Sequence, residues 1–63
     1  MTAAEFKDIL ALRDEYRQVS EEWRFLRERS GLNNPVVEAK LGLLRMIALD
    51  LREDHGIDID DIL

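Results

Sequence analysis

The chain has 63 residues, of which 46% are hydrophobic, and a formal net charge of −5. Folding costs about 1.5 kcal/mol of conformational entropy per residue, and two packed helices alone have too little interior to recover this cost. Cysteine is absent and His55 is the only histidine, which excludes disulfides, thiolate metal sites and histidine-rich metal sites. We therefore expect one small domain that has no cofactor or metal and gains stability by oligomerising or by binding a partner.

The net negative charge and the distribution of apolar residues indicate which partners and which location to expect. Residues 1–31 carry a net charge of −1 and residues 32–63 a net charge of −4, so nucleic acid and anionic membranes are not expected as partners. Lys7 and Asp8 interrupt the apolar segment 6–12, which therefore does not resemble a signal peptide. No apolar run approaches the roughly 20 residues that span a bilayer. We expect a cytoplasmic protein.

The first predicted helix covers about residues 3–30. Thr2 is expected to cap its N-terminus with Glu5 as its capping-box partner, and Gly31 to end it in the left-handed conformation. Its apolar residues recur every three or four positions, a spacing that keeps one face toward a partner helix. This inner stripe of the first helix comprises Ile9, Leu12, Tyr16, Val19, Trp23 and Leu26.

Charged residues line both margins of that stripe. The acidic margin comprises Asp8, Glu15 and Glu22, and the basic margin comprises Arg13, Arg17, Arg24 and Arg27. Margins of opposite sign are complementary between copies of one helix, which suits a symmetric homo-oligomer. The alternative is an ordinary solvated surface with weak local pairs, such as Asp14–Arg17 and Glu21–Arg24.

A short link, Gly31-Leu32-Asn33-Asn34, leads to the second predicted helix, at about residues 35–55. Asn34 is expected to cap this helix, with Pro35 at its first position, and Gly56 to end it. A connection this short makes the two helices antiparallel neighbours.

The second helix carries two apolar stripes. Its inner stripe, the expected mate of the first helix, comprises Val37, Leu41, Leu44, Ala48 and Leu51. Its outer stripe, on nearly the opposite side, comprises Ala39, Gly42, Met46 and Leu49. Val36, Leu43 and Ile47 fall between them, and only Glu38, Arg45 and Arg52 form a polar strip. A helix apolar almost all round is buried on more than one side. The outer stripe therefore predicts contact with a second copy, or with a foreign helix.

Residues 57–63 form a tail after Gly56. We expect a short helical turn capped by Asp58, although the alternating pattern is also compatible with a strand, which would lack a partner in this chain. Because the first helix is the longer one, its N-terminal turns extend past the end of the second. The tail of the same chain or of its dimer mate is predicted to cover that overhang, with Ile59, Ile62 and Leu63 packing on Phe6 and Leu10.

The sequence contains no recognisable motif for catalysis or metal binding. Asp54, Asp58, Asp60 and Asp61 lack the spacing of a calcium loop, because Gly56 is misplaced and no glutamate follows. No phosphate-binding glycine loop, Ser–His–Asp spacing or cysteine nucleophile is present. His55 is expected to interact with the helix dipole. The chain is not expected to be an enzyme.

The layout of the two helices nevertheless resembles a known family. Residues 31–37, Gly-Leu-Asn-Asn-Pro-Val-Val, join two antiparallel helices that look like those of the small sporulation-regulating aspartyl-phosphate phosphatases. That family carries a Ser-Gln-Glu-Leu-Asp signature on its second helix, where the corresponding stretch 41–45 here reads Leu-Gly-Leu-Leu-Arg. The resemblance implies a helical hairpin, and the missing signature puts phosphatase activity in doubt.

The sequence thus predicts an all-α antiparallel two-helix hairpin that dimerises into a four-helix bundle. The expected function is that of a small non-enzymatic regulatory or adaptor protein acting through protein–protein contacts. The alternatives are a nucleic-acid-associated regulator using the basic margin and a divergent phosphatase-like hairpin. The predicted partner-binding residues are Arg24, Phe25, Met46 and Leu49, and the predicted self-association residues are Ala39, Gly42, Met46 and Leu49.

Overall fold

The computed structural model describes residues 1–31 and 33–63; Leu32, part of the predicted link, lies outside the described residues. Helix α1 spans Ala3–Ser30, helix α2 spans Pro35–His55, and a 3-10 turn spans Ile59–Asp61. The two helices pack side by side as an antiparallel hairpin measuring 42 × 17 × 17 Å. The described residues contain no strand, so the all-helical prediction is confirmed and the strand alternative for the tail is wrong.

Local hydrogen bonds define the helix ends. Thr2 Oγ1 accepts from the Glu5 amide at 3.1 Å, and Asn34 Oδ1 accepts from the Val36 amide at 2.9 Å, as N-cap residues do. Gly56 adopts the predicted left-handed conformation (φ 67°, ψ 25°). Gly31 does not, because its ψ of −172° makes the chain leave α1 extended, although its φ of 76° still favours glycine. The Gly31 prediction is therefore wrong in ψ.

The inner stripes of both helices face each other as predicted. Every residue of the two inner stripes is buried or half-buried, and Val37 and Leu51 are almost completely enclosed. Ile47 was expected between the stripes of α2 but is buried in the core. It lies three residues after Leu44 and four before Leu51, so it widens the apolar face that α2 presents to α1.

The main core cluster lies where the start of α1 meets the end of α2. Ile9, Ile47, Leu51 and Ile59 form this cluster, with Leu12, Tyr16, Ala48, Ile57 and Ile62 packed around it. The tail is therefore an integral part of the core. Burying a side chain the size of Ile59 contributes about 1.5–3 kcal/mol before ordering costs.

The tail folds back onto the start of α1 as predicted, but Ile59, expected on Phe6 and Leu10, packs instead with Ile9, Ile47 and Leu51. Asp58 Oδ1 accepts from the Asp60 amide at 3.0 Å and caps the 3-10 turn. Ile62 and Ile57 border an apolar cavity of about 340 Å³ together with Phe6 and Leu10.

Leu63 departs from the prediction and stays 51% exposed. Residues three apart share a side of a 3-10 turn, so Ile59 and Ile62 point inward together while Leu63 lies one position past that side. Ile57 takes the place expected for Leu63. Phe6 is only partly covered and remains 52% exposed.

Candidate interaction surface

The outer face of α2 exposes large apolar side chains on successive turns. Met46 is 63% exposed and Leu49 51% exposed, and Val36 and Leu43 are exposed beside them. The two small members of the outer stripe, Ala39 and Gly42, are exposed as well. Single exposed apolar residues are common on protein surfaces, whereas a run of them along one helix is typical of an interaction surface.

Gly42 has no packing role inside the hairpin. A Cβ atom added at this position meets nothing within 4 Å. Glycine in a helix interior nevertheless costs about 1 kcal/mol relative to alanine. The hairpin therefore carries a destabilising residue at the centre of its exposed apolar face without using the space that it creates.

The polar strip of α2 borders this face. Glu38, Arg45 and Arg52 are all exposed, at intervals of seven residues. Arg45 and Arg52 line a groove of about 270 Å³ that also includes Leu49 and Asp58. Two guanidinium groups thus lie directly beside the exposed apolar face, where an acidic side chain from outside the hairpin would find favourable electrostatics.

Phe25 is an exposed aromatic residue in the second half of α1. Its ring is 56% exposed, and the Arg29 guanidinium carbon lies 4.9 Å from the ring centroid, a cation–π geometry. Phe25 borders an open groove of about 520 Å³ with Leu26 and Lys40. Arg24 is exposed on the same helix but is not part of this groove.

The structure separates the predicted partner-binding residues. Phe25 borders the groove beside Lys40, and Leu49 borders the groove beside Arg45 and Asp58, while Met46 belongs to neither. The four residues therefore form two surfaces, one on each helix. All four self-association residues lie on α2, and each of them is exposed.

The acidic margin of α1 contacts α2 of the same chain. Lys40 Nζ lies 2.7 Å from Glu22 Oε2, and His55 Nε2 lies 2.8 Å from Asp8 Oδ2. Both pairs join the two helices, so the acidic margin helps to align the hairpin. The predicted complementarity of the margins between copies concerns contacts outside this single chain and stays a prediction.

The basic margin is partly engaged within α1. Arg13 pairs with Asp14 at 3.5 Å, and the Arg27 guanidinium carbon lies 4.7 Å from the centroid of the Trp23 ring. Among the described residues, the expected pairs Asp14–Arg17 and Glu21–Arg24 do not form. Two of the four arginines are thus held against neighbours on their own helix.

His55 occupies a site that sequence reasoning missed. Its side chain is only 10% exposed, and its Nδ1 lies 3.6 Å from Glu5 Oε2 on the side opposite Asp8. The hydrogen bond with Asp8 is the largest cause that raises the pKa of His55 above its usual value; partial burial opposes the rise and Glu5 adds to it. The contact links the first turns of α1 to the last turn of α2. Its only sequence signal is that these residues lie at matching levels of an antiparallel hairpin.

The described residues contain no group of three side chains placed to hold a metal ion. Within the same part of the chain, neither helix has the length and apolar character needed to cross a membrane. The stretch 41–45, which corresponds to the phosphatase signature, places Leu44 in the buried inner stripe and Leu41 half-buried beside α1. These two positions serve packing.

Comparison of the chain with protein-family models, curated proteins and solved structures finds no match in any of the three.

Proposed function

We propose that this chain is a small non-enzymatic regulatory or adaptor protein of the cytoplasm that dimerises through the outer face of α2 into a four-helix bundle. The observation that carries the proposal is the exposed row Val36, Leu43, Met46 and Leu49 on one helix. A two-fold dimer would bury this row against its own copy, and both hairpins would then contribute two helices to one bundle.

The small core of the hairpin supports self-association. The core cluster contains four buried residues and lies at one end of the hairpin. A small helical core without disulfides commonly gains its missing burial from a second chain. Among the described residues, four of the eight exposed large apolar side chains lie on α2.

Leu49→Asp tests the proposal. Leu49 is half-exposed in the hairpin, so the aspartate remains solvated there and the helix content should persist. In the dimer the same charge would be buried at a cost of about 3 kcal/mol, which corresponds to association roughly 100-fold weaker. Sedimentation equilibrium and circular dichroism measure the two effects separately.

Leu63→Asp is the matched control, because Leu63 is equally exposed but lies on the tail. It should leave association unchanged. Equal association of the Leu49 variant and the wild-type chain would contradict the proposal. Loss of helical signal in the Leu49 variant would instead place this residue in an obligate core.

The adaptor role needs a second surface, for which we propose Phe25 and Arg24. Aromatic and arginine side chains are enriched among the residues that dominate binding energy, and Phe25 borders a groove that α2 extends with Lys40. In capture from native extract, Phe25→Ser should lose a protein that the wild-type chain retains. Phe6→Ser, at a similarly exposed phenylalanine, should retain it. An unchanged set of captured proteins would contradict this site, and salt-dependent retention on DNA or RNA would favour the nucleic-acid alternative.

A further inference from the structure

From the pattern of side-chain size along α2, we infer that the two copies pair with their α2 helices antiparallel, on a two-fold axis at the level of Leu44. The inference rests on the proposed dimer and specifies its geometry. Ala39 lies five residues before Leu44 and Leu49 five after it. Gly42 lies two residues before Leu44 and Met46 two after it.

An antiparallel pair therefore matches small residues with large ones at every level of the outer stripe. Leu49 of one copy faces Ala39 of the other, and Met46 faces Gly42. Alternation of large and small side chains across an interface lets the two helices pack closely and at a uniform distance. The open space above Gly42 receives the Met46 side chain of the second copy, which accounts for a glycine that the hairpin itself does not need.

A parallel pair lacks this match. Each outer-stripe residue would face itself, so Met46 and Leu49 would crowd one end while Ala39 and Gly42 left a gap at the other. The helices would have to splay, and part of the apolar surface would stay open to water.

The polar strip fits the same antiparallel geometry. In an antiparallel pair of helices, equivalent flanks of the two contact faces lie side by side. Glu38 of one copy then lies about 3 Å along the axis from the level of Arg52 of the other, given a rise of 1.5 Å per residue. The groove bordered by Arg45 and Arg52 is where this carboxylate arrives.

Charge complementarity does not distinguish an antiparallel pair of α2 helices from a parallel one. A parallel pair would set Arg45 opposite Asp50 of the second copy, which is also favourable, and the antiparallel pair brings the two Arg45 residues together near the axis. Because exposed ion pairs contribute little, the packing of the outer stripe decides. Arg45 shares its groove with Asp58 of its own chain, so its charge has an acidic neighbour away from the axis.

Disulfide trapping distinguishes the two directions, and the natural chain has no cysteine to interfere. Ala39→Cys and Leu49→Cys are made as separate single variants, then oxidised alone and as a mixture. The antiparallel pair predicts cross-linked dimers in the mixture only. In either single variant the two cysteines would lie about 15 Å apart along the axis, beyond the Cα separation of roughly 7 Å that a disulfide spans.

Glu38→Cys with Arg52→Cys gives a second measurement that leaves the apolar contacts intact. The mixture of these two variants should form cross-linked dimers, and neither variant alone should do so. Gln18→Cys, on the exposed surface of α1, should cross-link with none of the four variants. Cross-linking of Ala39→Cys or Leu49→Cys with itself would overturn the antiparallel geometry while leaving the dimer in place. Absence of cross-links from both pairs, in samples that sediment as dimers, would overturn it too. A wild-type chain that sediments as a monomer would remove the proposed function itself.

Discussion

His55 shows what single residues add to a short hairpin. It lies between two carboxylates that come from the first turns of α1, Asp8 at 2.8 Å and Glu5 at 3.6 Å. A helix dipole acts at every helix end, whereas this contact depends on the alignment of two helices and joins residues 47 positions apart. It therefore reports whether the ends of α1 and α2 are docked.

Stability should depend on pH through His55. Its folded-state pKa is raised above the unfolded value of about 6.5, so the contribution of protonated His55 is fully present below that pH and is lost as pH rises through the folded-state pKa. The free energy of unfolding of the wild-type chain, compared with that of His55→Gln, should decrease over this range. Urea denaturation at several pH values measures the difference, and NMR titration of the ring should give a pKa above the usual value. Identical pH dependence of the two proteins would contradict the Asp8 contact.

The helices and the tail differ in how much of them the sequence predicts. The inner stripes and the Thr2 and Asn34 caps follow from spacing and residue type within a few positions, which are local properties. The exposure of Leu63 and the inward position of Ile57 depend on the path of the chain after Gly56, which no periodicity encodes. The His55 contact depends on how α1 and α2 align along their length. On the candidate surface, the sequence identifies the outer stripe, but only the structure shows that Phe25 and Leu49 border separate grooves.

The tail should stabilise the hairpin through Ile59. Ile59→Ala removes a buried side chain from the main core cluster and should lower the free energy of unfolding by about 2 kcal/mol or more. Leu63→Ala, at an exposed position on the same tail, should change it by less than about 0.5 kcal/mol. Chemical denaturation at one fixed chain concentration checks both, since dimerisation makes stability depend on concentration. Equal effects of the two substitutions would show that the tail does not pack as described.

At the scale of the whole molecule, the hairpin is long, narrow and unevenly filled. Its core cluster lies at the end where α1 begins, while α2 is apolar on the side facing α1 and on the outer side. One α1 helix covers only one of these sides. In the proposed bundle the second copy covers the outer side, which explains why α2 is apolar on two sides.

The contact between the outer stripe and a second copy is tested most directly by intermolecular nuclear Overhauser effects from methionine methyl groups. The chain has two methionines, Met46 on the outer stripe and Met1 at the N-terminus, so methyl labelling gives one reporter and one internal control. In a mixture of labelled and unlabelled copies, the Met46 methyl should show intermolecular contacts to protons of the partner's α2, and Met1 should show none. A Met46 methyl without intermolecular contacts, in a sample that sediments as a dimer, would contradict self-association through this face.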